Sequence, residues 1–424
     1  MKKLSFNGLT LLAGLIFVQA AWTNAWANNG CTASADPKES ISCNSVASDP
    51  SCYKSYGYNS MNNCAENCRS PWVMGGWTEA GLFVNEYGQK NSYNAGEFMS
   101  LSGNTDHLNN VRQSDLQVNQ TWLYFGKELT SYSQFQIGGR VDFMYGTDRF
   151  LQSDGFERRT GHDPWGDGDY YAAFPQAYAE IGNKMFSIKA GKFLGLLGYE
   201  SGMSPDRFFY SLSRSYAIVP ATMTGTVATW NPSGRWSFFG GWISGRNSTF
   251  DSSQDSDFVG GFKYQLTKRL SIGYGTIIGK EQDISPYFAP ESDVYVSSLV
   301  LNYKPTDRWN YTFAWNLQNQ TDKQSDLHWG MYTLTNELTY RINHCWSIGT
   351  RAEWVKTHND GVYGASDEFT DLSLGANWTP TCWLLVRPEL RYDSIQNTPV
   401  FGGIKSGVPK RDQLSGGFSC IVKY

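Results

Sequence analysis

Leu384-Leu385-Val386-Arg387-Pro388-Glu389-Leu390-Arg391-Tyr392-Asp393 alternates without a slip. Leu384, Val386, Pro388, Leu390 and Tyr392 share one side; Leu385, Arg387, Glu389, Arg391 and Asp393 share the other. Successive side chains of a strand point to opposite faces, so one face here is apolar and the other carries four consecutive ionisable groups. Two architectures accept such a strand. A soluble sheet would turn the apolar face inward, whereas a membrane barrel would turn it out to lipid and the charges in to water. The number of such strands, and what joins them, separates the two.

The same pattern recurs along the chain. Phe369 to Trp378 precedes the stretch through the turn Thr379-Pro380-Thr381. Phe135, Ile137, Val141, Phe143 and Tyr145 alternate with Gln134, Gln136, Arg140 and Asp142. Trp309, Tyr311, Phe313, Trp315 and Leu317 alternate with Asn310, Thr312, Ala314, Asn316 and Gln318, and Trp346, Ile348, Ala352 and Trp354 with Ser347, Arg351 and Glu353. Segments of roughly ten residues are long enough to cross a bilayer when tilted. We read sixteen of them from Trp77 to Tyr424, among them Trp77 to Tyr87, Tyr132 to Gly146 and Phe174 to Gly182.

Their connections alternate short and long. Asn183-Lys184, Asn231-Pro232-Ser233-Gly234 and Asn343-His344 are short; Gly88 to Ser114, Thr147 to Ala173 and Gly195 to Ala221 are long. This is the pattern of an up-and-down antiparallel transmembrane β-barrel, all-β, with tight periplasmic turns and extended outer loops. Aromatic residues beside the short turns, Trp230 with Trp236, Tyr303 with Trp309, Tyr340 with Trp346 and Trp378 with Trp383, predict a girdle at the headgroup level. Phe418, Cys420, Val422 and Tyr424 give a final alternating strand that ends on an aromatic.

Residues 1–27 read as an export signal: Lys2 and Lys3, an apolar run from Leu9 to Ala21, then Ala25-Trp26-Ala27. Its removal leaves 33 basic against 39 acidic residues with no basic stripe, which speaks against nucleic acid as a partner. Residues 28–74 form a Ser-, Asn- and Cys-rich segment ahead of a barrel at 75–424. It holds Cys31, Cys43, Cys52, Cys64 and Cys68, and Cys345, Cys382 and Cys420 lie far away. An exported chain meets an oxidising compartment, so all eight are disulfide candidates. Five is odd, so at least one of the distant three is expected to pair with the segment, holding it at the periplasmic mouth.

Gly191-Lys192-Phe193, then Gly198-Tyr199-Glu200, then Arg387-Pro388-Glu389-Leu390-Arg391-Tyr392-Asp393, in this order within the barrel pattern, resemble the OmpL-like β-barrel porin family across Trp77 to Tyr424. The resemblance implies an outer-membrane channel for passive transport, embedded in outer-membrane lipid. The porins it resembles are commonly homotrimers, so a homotrimer is expected here. The Cys-rich segment departs from the family pattern.

From the residues themselves, barrels of about 16–18 strands leave an aqueous channel. Arg140, Asp142, Arg351, Glu353, Arg387, Glu389, Arg391 and Asp393 are then pore-lining candidates that would sieve small hydrophilic solutes and ions, with weak preference between signs. The bland reading makes them cross-strand salt bridges that stiffen the wall. In the sixteen-stranded general porins that this chain resembles, the third long loop folds into the lumen. Gly195 to Ala221 supports that placement independently, because Leu196, Leu197, Met203, Phe208, Phe209, Tyr210, Tyr216 and Ile218 are too apolar for a loop standing in water. Its Glu200, Asp206, Arg207 and Arg214 would then face the charges of the wall and narrow the channel.

Two rival functions are a surface protein whose barrel only anchors loops and an outer-membrane hydrolase. His107 follows Asp106 and His162 precedes Asp163, but neither comes with a nucleophile. Asp163, Asp167 and Asp169 make at most a loose calcium loop, short of the six to eight oxygens that cation takes. We expect no cofactor, no metal and no enzymatic activity.

Overall fold

The computed structural model describes residues 71–87, 115–157, 166–167, 169–249, 256–281, 292–323, 326–359, 366–401 and 410–424 of the chain. Its strands are β1 (Trp72–Asn85), β2 (Gln117–Lys127), β3 (Gln136–Gly146), β4 (Gly166–Asp167), β5 (Tyr170–Gly182) and β6 (Phe186–Leu194). There follow β7 (Thr222–Ser233), β8 (Trp236–Arg246), β9 (Asp257–Thr267), β10 (Leu270–Glu281), β11 (Ser292–Tyr303) and β12 (Trp309–Asp322). The last are β13 (His328–Arg341), β14 (Trp346–Asn359), β15 (Glu368–Thr381), β16 (Leu384–Ile395) and β17 (Asp412–Lys423). β4 is a two-residue strand beside the start of β5; the other sixteen form the wall.

Every strand pairing is antiparallel; each wall strand pairs with the next one along the chain, β3 reaching past the short β4 to β5, and β1 also pairs with β17, so the sheet closes into a barrel. Closure removes the free edges that an open sheet would expose in lipid. At the seam, the Gly76 amide donates to the Tyr424 carbonyl at 2.8 Å and the Tyr424 amide to the Gly76 carbonyl at 2.9 Å. A side chain at Gly76 would strike the Trp122 carbonyl and the Tyr424 ring, so glycine lets the terminal aromatic lie flat on the seam.

Alternation fixes which way each strand faces. On β16, Leu390 is 49% exposed while its neighbour Arg391 is 0% exposed, and the pattern holds for Tyr392 against Asp393. The exposed row continues around the wall through Leu372, Leu374, Ile348, Trp242, Val141 and Ile137, so the outer surface of the barrel is apolar. Beside the short turns, Trp309 lies against Tyr340 with centroids 4.5 Å apart, Trp346 against Trp378 at 5.8 Å and Trp236 against Tyr264 at 3.9 Å. Each couple sits directly across a strand pair, so the girdle also ties neighbouring strands together.

Two strands start earlier than the sequence pattern suggests. β1 begins at Trp72 instead of Trp77, because Gly75 and Gly76 carry no side chain to reveal the alternation. β5 begins at Tyr170 instead of Phe174, since Pro175 and a register shift opposite Asp142/Met144 break the period there. Among the described residues, Cys382 and Cys420 are free thiols. The export signal, Cys31, Cys43, Cys52, Cys64, Cys68, His107, His162 and Asp163 lie outside the described residues.

Candidate functional site: a loop across the lumen

Between β6 and β7, residues 195–221, here called L3, leave the wall and cross the lumen. They begin at Gly195, whose amide donates to the Ala221 carbonyl at 2.9 Å and pins the two ends of the loop together. L3 has its own short 3-10 turns, Ser204–Asp206 and Arg214–Ala217, which satisfy part of its backbone. The wall satisfies much of the rest.

Arg387 donates to three L3 carbonyls, those of Ser204 at 2.9 Å, Arg207 at 2.9 Å and Phe209 at 3.2 Å. It also pairs with Glu79 of β1, which in turn accepts from the Ser204 hydroxyl. Glu389 takes the Ser211 amide at 2.8 Å and its hydroxyl at 2.5 Å. Arg351 reaches Glu200 at 3.2 Å and the Ser211 carbonyl at 3.0 Å, while Glu353 accepts the Arg214 amide at 3.0 Å. Arg214 and Arg391 share Asp371 and Asp393: Arg214 lies 2.9 Å from Asp371 and 2.8 Å from Asp393, and Arg391 is 3.0 and 2.8 Å away. Two cations and two anions thus close on one another out of reach of water. A buried charge without such a partner would be strongly unfavourable.

The apolar side chains of L3 use a different device. A Cβ built on Gly81 would come within 2.5 Å of the Tyr210 ring, on Gly349 within 2.5 Å of Phe208, on Gly375 within 3.0 Å of Phe209 and on Gly275 within 2.9 Å of Leu197. Inward glycines on four strands are therefore sockets into which L3 side chains fit. Leu197, Ile218 and Val219 then join Val294, Val296, Met331, Val355, Phe369, Ile395 and Phe401 in one apolar cluster inside the barrel, toward the long-loop end.

The sequence-derived candidates therefore meet as follows. Arg351, Glu353, Arg387, Glu389, Arg391 and Asp393 all point inward and are buried beneath L3. Arg140 and Asp142 form a separate pair at 2.5 Å, in which Asp142 also accepts from Trp122 and Gln176 at 2.9 Å each. On the loop side, Glu200 faces Arg351, Arg207 lies 3.6 Å from Glu79, and Arg214 faces Asp371 and Asp393. Among the described residues no cation lies within ion-pair distance of Asp206; burial pushes its carboxyl up to about 6 against Lys423, Arg140 and Arg207. Burial also raises Glu200, with Arg351 opposing. Glu79 and Asp371 were missed. Each is a single acid on its strand's inward face, and only the register with neighbouring strands reveals the partner.

Opposite this filled side the lumen stays open. A cavity of about 860 Å³ lies against β8 to β11, floored by Ser237, Lys263, Gln265, Ser271, Gly273 and Asn302 and roofed by Leu196, Leu197 and Tyr199 of L3. A second of about 340 Å³, lined by Lys127, Glu128, Arg140, Tyr178 and Glu180, shares Lys184 and Asn231 with it. Among the described residues, no group of three or more His, Cys, Asp or Glu side chains gathers as metal ligands would.

Residues 73–424 match the family model described as "Putative beta-barrel porin-2, OmpL-like". Comparison with curated protein sequences gives no match. Among solved structures, the chain is similar to the outer membrane channel DcaP of Acinetobacter baumannii, with 10% identity, a TM-score of 0.56, and 83% of this chain and 97% of that one covered. It is similar to the in-vitro folded outer membrane protein OmpT of Vibrio cholerae in its trimer form, with 10% identity, a TM-score of 0.54, and 83% and 99% covered. It is also similar to an anion-selective porin from Comamonas acidovorans, with 9% identity, a TM-score of 0.52, and 83% and 99% covered. At such identities the likeness is one of fold.

Proposed function

Because the chain belongs to the OmpL-like β-barrel porin family, we propose that it is a passive diffusion porin of the outer membrane, passing small hydrophilic solutes and ions, with L3 setting the size limit. The observation that carries this reading is the division of the lumen: L3 fills one side, and a cavity of about 860 Å³, with Ser237, Lys263, Gln265, Ser271 and Asn302 in its lining, remains on the other. In this reading the charges of β14 and β16 act on solutes through the loop. They hold L3 at a fixed height and so fix the cross-section that is left. Glu200, Arg207 and Arg214 are their counterparts on the loop.

Reconstitution into planar bilayers tests the proposal. A folded barrel is expected to give stable ohmic steps and to let small sugars swell proteoliposomes; folded protein that never carries current would return the chain to an anchoring role. We further propose that the protein assembles as a homotrimer, to be checked by native mass spectrometry in detergent. We also propose that Cys345 pairs with a cysteine of residues 28–74; Cys382 and Cys420 being free thiols leaves Cys345 as the one of the three distant cysteines available to the segment. A bridge there would hold that segment beside the β13–β14 turn. Non-reducing peptide mapping should recover a peptide linked to Cys345; recovery of that cysteine as a free thiol would remove the tether.

A further inference from the structure

We propose that the open side of the lumen selects small anions, and that Lys263 is the residue that sets this preference. The inference rests on the diffusion reading above and adds the class of solute to it.

The argument starts from charge balance. On the filled side every inward cation discussed above has a carboxylate beside it. Among the described residues, the charged side chains that line the larger cavity are Lys184, Arg235 and Lys263, with no carboxylate. The smaller one is nearly balanced, with Glu128 and Glu180 against Lys127, Arg140 and Lys184, and Arg140 is already paired with Asp142.

Lys263 owes its isolation to its neighbours. Alternation on β9 puts it on the same inward face as the buried Val259. Its partners across the strand pairs are Ser237 on β8 and Gly273 on β10, and the next inward positions along β9 are Gly261 and Gln265. None of these can neutralise it or cover it. The Lys263 stem lies over Gly273, with its Cγ 3.8 Å from where a Cβ would stand, and the side chain is exposed to the cavity. The inward acids of neighbouring strands are elsewhere. Asp257 and Asp322 are buried at the opposite, long-loop end, and Glu337 on β13 stands across from Arg351.

An uncompensated cation in a narrow passage with low-dielectric walls concentrates anions and repels cations, because the walls focus the field along the bore. Arg235 and Lys184, beside the short turns that frame the cavity, extend the same sign to its mouth.

The test is reversal potential in a tenfold gradient of potassium chloride across a planar bilayer. Wild-type protein is expected to favour chloride over potassium, Lys263→Gln to reduce the permeability ratio by about twofold or more, and Lys263→Glu to carry it toward potassium. Lys304→Gln, on an exposed turn, is expected to leave it unchanged. A conducting wild type without chloride preference, or a Lys263→Glu channel with an unaltered ratio, overturns the assignment of Lys263 and leaves the porin reading standing. No current from folded wild type overturns the porin reading first.

Discussion

The wall formed by β14 to β17 with β1 and β2, and the wall formed by β8 to β11, belong to one barrel and obey the same alternation, yet they are built for opposite ends. The first carries arginines, carboxylates and socket glycines that are consumed by L3. The second carries Ser, Gly, Gln, Asn and Lys263 toward the short turns, where the cavity lies; toward the long loops its Val294 and Val296 pack in one cluster with Leu197, Ile218 and Val219 of L3, Leu197 seats on Gly275, and the Gly198 amide donates to the Ser298 hydroxyl at 3.1 Å. Charge density on an inward face therefore marks where a loop is held, and small polar residues mark where space is left. The wall reads most heavily as channel lining where it is most completely covered.

The strongest way to break this contrast is to remove what covers the charged wall. Deleting Ser204 to Arg214 should expose Arg351, Arg387 and Arg391 to water, raise single-channel conductance several-fold (about 2- to 5-fold by the area uncovered) and admit larger neutral sugars. Unchanged conductance in a correctly folded deletion variant would mean that solutes do not pass L3. Arg351→Ala tests the same wall by stability. It strands Glu200, Glu353 and Glu389 in a buried site, and loss of one partner of a buried pair costs about 3–5 kcal/mol. Chemical unfolding in detergent should register that loss, with Glu200 as the loop-side partner whose removal in the same background adds little.

The sockets allow a finer cut. Gly349→Ala places a methyl 2.5 Å from the Phe208 ring, and overpacking of this kind costs about 1–3 kcal/mol. If the glycine exists to seat the ring, the penalty should shrink when Phe208→Ala is already present. Strict additivity of the two would assign Gly349 to the barrel wall alone.

Acidity should act on the same seat with a smaller effect. Burial pushes the Asp148 carboxyl from 3.8 up to about 7, although Arg207 and the amides of Gln120 and Asn119 oppose it. A folded value above the unfolded one means that the docked state holds the extra proton. Docking is therefore tighter below pH 4 and loosens as pH rises toward 7, and Asp206 shifts in the same direction. Hydrogen exchange of L3 amides should show protection about 2- to 10-fold greater at pH 5 than at pH 8. Asp148→Asn should flatten that dependence; an equal pH dependence in the variant would assign it elsewhere.

The smallest effect is expected on the open wall. Ser271→Ala removes an inward hydroxyl that no loop residue uses, so stability should change by less than about 0.5 kcal/mol. A larger loss would show that this wall, too, carries part of the load.

By itself the sequence determined the barrel. Alternation as clean as that from Leu384 to Asp393, recurring in looser form along the chain and joined by alternately short and long connections, points to a closed barrel, where each strand satisfies its backbone against two neighbours. It also determined that L3 cannot stand in water, because Phe208, Phe209, Tyr210 and Leu212 need a surface. What it could not determine is which partners those residues meet. The pairing of Arg214 with Asp371 and Asp393, of Arg387 with Glu79 and the L3 carbonyls, and of Phe208 with Gly349 depends on the height at which the loop crosses, and so on contacts between segments more than a hundred residues apart. Periodicity also misleads at the long-loop end. Val294, Val296, Val355 and Ile395 point inward yet are apolar, because what lies inside there is the loop and Phe401 instead of water. Only the tertiary structure decided which inward faces meet water, since a face is polar or apolar by sequence but covered or open by what folds against it.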